Sequence, residues 1–93
     1  MKLYVIASND LSKPQQFVQA THAVAQYLID NPDSKWKNET LVMLKSNDLN
    51  EIKSYLDHCK SYYSEFHEPY YDNKLTAIAT TDSLSIFNEL KLI

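Results

Sequence analysis

The chain has 93 residues, of which 44% are hydrophobic and 23% are charged, and its formal net charge is −3. This length predicts one small domain, residues 1–93, with the composition of a globular protein. The acidic balance excludes a general nucleic-acid binder that works by charge alone. The absence of glycine excludes Gly-rich phosphate loops. No apolar run is long enough to span a membrane.

The single cysteine, Cys59, excludes an intramolecular disulfide and fits a reducing compartment. Because the N-terminus also lacks an apolar leader segment, we expect a cytoplasmic protein. Cys59 falls on the apolar face of a predicted helix, so we expect it to be buried. The three histidines are scattered without metal-ligand spacing, and we expect neither a metal nor a cofactor. Turns that need a positive φ must use Asn or Asp.

The N-terminal part of the chain predicts a strand followed by a long helix. Lys2 to Ala7 is an almost continuous apolar run, typical of a strand buried on both faces. Ser12 and Pro14 are the cap and first-turn residues expected of a helix from Lys13 to Asp30. The apolar residues at three- and four-residue spacing predict its core face. That face comprises Phe17, Val18, Thr21, Val24, Ala25, Leu28 and Ile29.

The rest of the chain predicts three more strands and two more helices. Asn47 is the expected cap of the second helix, and Thr81 or Asp82 that of the last. The order β-α-β-α-β-β-α therefore predicts an α/β fold, a mixed four-stranded sheet with helices on both faces. The later strands are expected at Thr40–Leu44, around Phe66 as far as Pro69, and at Leu75–Thr80. The later helices are expected from Asn47 to about Tyr63 and at Leu84–Leu90.

The junction between the first strand and the first helix is the best candidate for a site. Ligands of open α/β sheets bind at the carboxyl ends of strands, and a helix start suits an anion. Gln15, Gln19, His22 and Gln26 share one stripe of the helix, beside the apolar face. The stripe could bind a polar ligand, or it could be a half-solvated helix edge with His22 bonded to a backbone group.

Three segments resemble the second class of peptidyl-tRNA hydrolases. That family begins with an apolar strand, then R-x-D-L and M-G-K-G-K-x-A-A-Q-x-x-H-A. The segment YVIASNDLSKPQQFVQATHA matches it at Asp10-Leu11, Gln19 and His22-Ala23. EPYYDNKLTAIAT resembles the segment in which an aspartate precedes a T-x-I-A strand, through Asp72 and Thr76. The ending ELKLI resembles the family's closing L-K-L.

The resemblance implies a fold, an activity and a set of site residues. It implies a four-stranded mixed sheet, often in a homodimer, and hydrolysis of the ester between a peptide and the 3′ end of tRNA. It places Lys13, Asp72 and Thr76 in the catalytic centre, where an ammonium could hold an oxyanion and a carboxylate could orient water. Gln15 stands where the family has its second lysine. With Gln19 and His22 it is expected to line the substrate site.

Two alternatives remain open at this point. In the first, the chain is a catalytically inactive binding module of the same fold that holds a nucleotide, a tRNA end or a protein partner. In the second, it is a protein-interaction domain whose contact surface is Trp36 and the tyrosines near Phe66. Exposed aromatic side chains could also stack on a base.

Overall fold

The computed structural model describes all 93 residues, Met1 to Ile93. Strands and helices alternate in the first half, and two 3₁₀ turns, Pro69–Tyr71 and Ser85–Glu89, replace further helices in the second half. The strands and helices are β1 (Lys2–Ser8), α1 (Lys13–Asp30), β2 (Thr40–Ser46), α2 (Leu49–His58), β3 (Ser64–Glu68), β4 (Lys74–Thr80) and β5 (Lys91–Leu92).

The sheet is mixed and has five strands in the order β3-β4-β1-β2-β5. β1 and β2 are parallel along their whole length, so that Ser8 lies opposite Ser46. β4 is antiparallel to β1, β3 to β4, and β5 to β2. The prediction of a mixed α/β fold is therefore confirmed, and the prediction of four strands is wrong. The fifth strand has two residues, which is too short to give a period-two pattern.

The two helices cover opposite faces of the sheet. Leu3, Val5 and Ala7 of β1 belong to the core cluster under α1, whereas Ile6 lies in the cluster under α2. The central position of β1 explains why its apolar run is almost continuous, because both of its faces are covered. Neither helix has the length and apolar content required to cross a lipid bilayer.

Helix α1 has the predicted bounds but not the predicted core face. Its buried residues are Gln16, Gln19, Ala20, Ala23 and Tyr27. Four predicted core residues are instead exposed, namely Phe17 (42%), Val18 (42%), Leu28 (45%) and Ile29 (71%). Thr21 and Ala25 are also exposed, and Val24 is half-buried. Ala20 and Ala23 of the helix share one core cluster with Ala7 of β1 and with Ala77 and Ala79 of β4. The buried Gln19 finds hydrogen-bond partners on β3 and β4.

Helix α2 ends at His58, about one turn before the predicted end near Tyr63. Asp48, not Asn47, is its N-cap, because the Asp48 carboxylate accepts the N–H groups of Asn50 and Glu51. At the other end Lys60 has φ 54° and closes the helix in a left-handed turn that glycine usually makes. Cys59 occupies the C-cap and is exposed, so the prediction of a buried thiol is wrong.

The predicted last helix is not present in the C-terminal third of the chain. A 3₁₀ turn over Ser85–Glu89 stands where a helix over 84–90 was expected, and only Phe87 of that turn is buried. β3 stops at Pro69 as expected, and the β3–β4 connection passes through Asp72 and Asn73, both with positive φ. Asn and Asp hold three of the four positive-φ positions in the chain, as expected from the missing glycines, whereas the fourth, Lys60, departs from that expectation.

Candidate functional site

The carboxyl ends of the parallel strands β1 and β2 form a polar concave edge of the molecule. The last residue of each strand begins the same four-residue sequence, Ser-Asn-Asp-Leu, at 8–11 and at 46–49. From here β1 leads to α1 on one face of the sheet, and β2 leads to α2 on the opposite face. Adjacent strands whose connections diverge to opposite faces leave a crevice between them, where ligands of α/β proteins bind.

The two Ser-Asn-Asp turns have matching hydrogen bonds. The Ser8 hydroxyl accepts the N–H of Asp10, and the Ser46 hydroxyl accepts the N–H of Asp48. Asn9 links the turns, since its side-chain amide donates to Asn47 Oδ1 over 2.7 Å and its backbone N–H donates to Ser46 O over 2.8 Å. These hydrogen bonds hold the two turns together.

A cavity of about 290 Å³ opens at this edge between the two turns and the start of β4. Lys74 lies on its β4 side, with its ammonium 3.5 Å from the Asp10 carboxylate. A second cavity of about 250 Å³ lies on the β5 side of Asn47 and carries Lys45 and Lys91. Backbone, amide and charged groups of both signs thus converge here, which suits a polar ligand.

Lys13 and Gln15 lie in the first turn of α1, beside this edge. Lys13 is exposed, and Gln15 N donates to the Ser12 hydroxyl over 3.4 Å. Pro14 has no N–H, so the helix start has fewer free donors for an anion than a typical one. The ammonium of Lys13 is therefore the main charge that this turn could offer.

Asp72 lies in the β3–β4 connection at the same end of the sheet, two residues before Lys74. It has a left-handed backbone, with φ 53° and ψ 39°, and its side chain is exposed. No hydrogen bond or ion pair joins Asp72, Lys13 and Thr76 to one another. Lys13 and Asp72 lie at this edge of the sheet, whereas Thr76 is buried inside the domain.

Thr76 is fully buried on β4 and donates its hydroxyl hydrogen to Gln19 Oε1 over 2.6 Å. Gln19 is also fully buried, and its Nε2 donates to Glu68 Oε1 over 3.1 Å. Two residues predicted separately, one on a helix and one on a strand, are therefore direct partners. Glu68 completes the chain of hydrogen bonds.

His22 lies one turn after Gln19, on the exposed side of the helix. Its ring stacks on Phe66 of β3, with centroids 4.5 Å apart and planes at 7°. This stacking ties α1 to β3, whereas the Gln19 amide ties α1 to both β3 and β4. Of the six predicted site residues, Gln19, His22 and Thr76 form this helix–hairpin contact, whereas Lys13, Gln15 and Asp72 lie nearer the crevice.

The aromatic residues divide into buried and exposed groups. Trp36 is only 4% exposed and packs in the α1 core cluster, so the prediction that it forms a contact surface is wrong. Tyr63 donates to the Asp57 carboxylate. Its pKa is raised to about 12, mainly by desolvation and secondly by this hydrogen bond. Tyr62 and Tyr70 are exposed, with Tyr70 in the turn that precedes Asp72.

The paired Ser-Asn-Asp-Leu turns were missed by sequence reasoning, although a signal existed. The same tetrapeptide follows each of the first two predicted strands, 38 positions apart, which is visible by direct inspection. Pairing of the two turns becomes predictable once β1 and β2 are taken as parallel neighbours in a β-α-β unit.

No family model matches the chain, and no curated protein matches it either. The functional assignment therefore depends on the residues and geometry described above.

Proposed function

We propose that this chain is a divergent peptidyl-tRNA hydrolase-like protein that recognises and cleaves the ester between a peptidyl group and the 3′ end of tRNA. The observation that carries the proposal is the 2.6 Å hydrogen bond from Thr76 to Gln19. It joins the two segments that resemble the family, one on α1 and one on β4, in a single arrangement. Their matched residues are contact partners although they lie 57 positions apart.

In this proposal the exposed groups act on the ester and the buried ones position them. The Asp72 carboxylate takes a proton from a water molecule, whose oxygen attacks the ester carbonyl. The Lys13 ammonium stabilises the oxyanion that forms. When this intermediate collapses, the bond between the carbonyl carbon and the ribose 3′-oxygen breaks, and the proton held by Asp72 passes to that oxygen, which leaves the free peptide acid and the tRNA 3′-hydroxyl. Thr76 and Gln19, which have no exposed surface, hold the hairpin that carries Asp72 against α1.

The tRNA end would bind along the polar edge. Lys45, Lys74 and Lys91 line the two cavities there and could contact phosphates. Tyr70 is exposed near the same turn and could stack on a base. Because the net charge is −3, recognition would depend on a few local lysines and on shape.

Substitution of Asp72 by asparagine is expected to lower peptidyl-tRNA hydrolysis at least about a hundredfold, because general-base catalysis is worth 10²–10⁴. Asparagine tolerates the left-handed backbone of this position, so the fold is preserved. The assay is release of labelled N-acetyl-aminoacyl product from tRNA. Asp33→Asn, in the loop after α1, is the matched control and should retain full activity. No turnover above blank in the wild type, or full activity of Asp72→Asn, would contradict the enzyme proposal.

A binding module without turnover is the second candidate, favoured by the sparse donors at the start of α1 and by the burial of Thr76. Binding to the folded state alone raises the melting temperature in a saturable way. We expect such a rise with deacylated tRNA or an oligonucleotide ending in the tRNA 3′ sequence, and a smaller one in Lys74→Gln. Thermal melts of the wild type, of Lys74→Gln and of the control Lys35→Gln, each with and without the ligand, measure the rise. A rise without product favours binding alone, and no rise with either ligand excludes it.

A further inference from the structure

Two lysines lie directly opposite each other on the last two strands of one side of the sheet. β5 is antiparallel to β2, and its register pairs Lys91 with Lys45. Residues paired in this way point to the same face with Cβ atoms about 4.5–5.5 Å apart, and like charges at such positions destabilise the pairing. The β2–β5 pairing therefore holds two positive charges close together at an electrostatic cost.

Neither lysine has an acidic partner within the domain. The chain has 12 acidic residues against nine basic ones, so carboxylates are plentiful. The four ion pairs of the structure nevertheless use other groups. Glu89 lines the same cavity of about 250 Å³ as the two lysines but forms no ion pair with either. Two uncompensated ammonium groups beside one cavity favour an anion from solution as their partner.

The amide group beside these lysines is oriented by a chain of hydrogen bonds. The Leu11 carbonyl can only accept, so Gln16 presents Nε2 to it, and the same Nε2 donates to Asn9 Oδ1. The Asn9 amide is thereby fixed with its Nδ2 toward Asn47 Oδ1. This leaves the NH2 group of Asn47, which lines the cavity, as a donor without a protein acceptor. The cavity thus combines two ammonium groups with an oriented neutral donor.

The size and charge of the cavity favour a phosphate group as the ligand. Its volume of about 250 Å³ lies below the roughly 300–1,000 Å³ of sites for drug-sized ligands, so a small group with its water fits better than a nucleoside. A phosphate group carries close to two negative charges near neutral pH, which match the two ammonium groups. Lysine binds phosphate as a point charge, whereas planar carboxylates are matched best by arginine, which the chain lacks.

We propose that Lys45, Lys91 and Asn47 form a binding site for one phosphate group on the β5 side of the polar edge. The inference deepens the proposed function, because it assigns these lysines one shared phosphate, and it rests on that function only for the source of the phosphate. That source is either the tRNA or a small free phosphomonoester. The bound group removes the repulsion between the two ammonium groups and so stabilises the β2–β5 pairing. The Glu89 carboxylate, on the same cavity, opposes binding.

Inorganic phosphate is the probe, added at constant ionic strength with chloride as the balancing anion. The wild type should show saturable shifts of the Asn47 side-chain amide in NMR spectra and a saturable rise in melting temperature. Lys45→Gln and Lys91→Gln should each raise the dissociation constant about tenfold, the effect of losing one charge-assisted hydrogen bond. Lys35→Gln, in the loop between α1 and β2, is the matched control and should bind like the wild type. Glu89→Gln should bind severalfold more tightly.

Lys91→Glu separates binding from folding. It places a carboxylate opposite Lys45, so the melting temperature without phosphate should rise by about 2–5 °C. The same variant should show no saturable response to phosphate. A loss of binding in a more stable protein cannot result from unfolding.

An oligonucleotide ending in the tRNA 3′ sequence distinguishes the two sources. If phosphate competes with it and Lys91→Gln weakens it, the bound group belongs to nucleic acid; without competition, the site takes a small phosphomonoester. Hydrolysis of peptidyl-tRNA is measured separately, so failure of the phosphate site and failure of the hydrolase are distinct results. No response to phosphate beyond that to chloride, equal binding by Lys35→Gln and Lys91→Gln, or a lowered melting temperature of Lys91→Glu would overturn the proposal.

Discussion

Replacement of Trp36 by alanine is expected to lower the free energy of unfolding by about 3–5 kcal/mol. Trp36 packs beside Tyr27 and Leu3 in the core cluster under α1, and its indole N–H donates to Thr40 O over 3.1 Å. Alanine would leave a cavity and an unpaired carbonyl. A domain of this size has about ten kcal/mol of stability in total, so urea unfolding followed by circular dichroism should show a large shift of the midpoint.

Trp36→Phe provides the control for this prediction. It keeps an aromatic ring in the core and loses the indole N–H, so a loss well below that of alanine is expected. Equal stability of Trp36→Ala and wild type would show that the indole is not part of the core.

Replacement of Thr76 by valine is expected to cost about 1–3 kcal/mol. The two side chains have nearly the same shape, so packing is preserved and the loss comes from the hydrogen bond. Gln19 Oε1 accepts the Thr76 hydroxyl in a fully buried position, and without that donor it would remain buried and unpaired. Thermal and urea unfolding measure the loss.

The double variant Thr76→Val/Gln19→Leu separates pairing from packing. Removing both polar partners of a buried hydrogen bond costs less than removing one, so the two single losses should not add, with a coupling of about 0.5–3 kcal/mol. Thr40→Val, the same change at an exposed strand position, should be almost neutral. Additive losses would show that Gln19 and Thr76 act independently.

Local features of the chain were predictable where neighbouring residues alone decide the backbone. The cap at Ser12, the bounds of α1 and the stop of β3 at Pro69 follow from short-range hydrogen bonding and proline geometry. The use of Asp72 and Asn73 for left-handed turns follows from the absence of glycine. Where an atypical residue, Lys60, closes a helix, the boundary was misplaced by about a turn.

The candidate site was predictable only in part, because its contacts join residues that are far apart in the sequence. Gln19, His22 and Thr76 were chosen by motif, but their direct contact depends on how α1 lies across β3 and β4. The crevice between the two Ser-Asn-Asp turns depends on the parallel register of β1 and β2. Contacts between residues that are far apart in sequence form only when the sheet assembles, so spacing along the chain does not reveal them.

Helix α1 shows the difference between local pattern and assembled fold most clearly. Periodicity correctly indicates an amphipathic helix with an apolar stripe through Val18, Thr21 and Leu28, because that depends only on 100° per residue. It does not indicate which face meets the sheet. Packing of Ala20 and Ala23 against small residues of β1 and β4, together with the pairing of Gln19 with Thr76, turns the small, polar face inward. The apolar face is left outward and exposed.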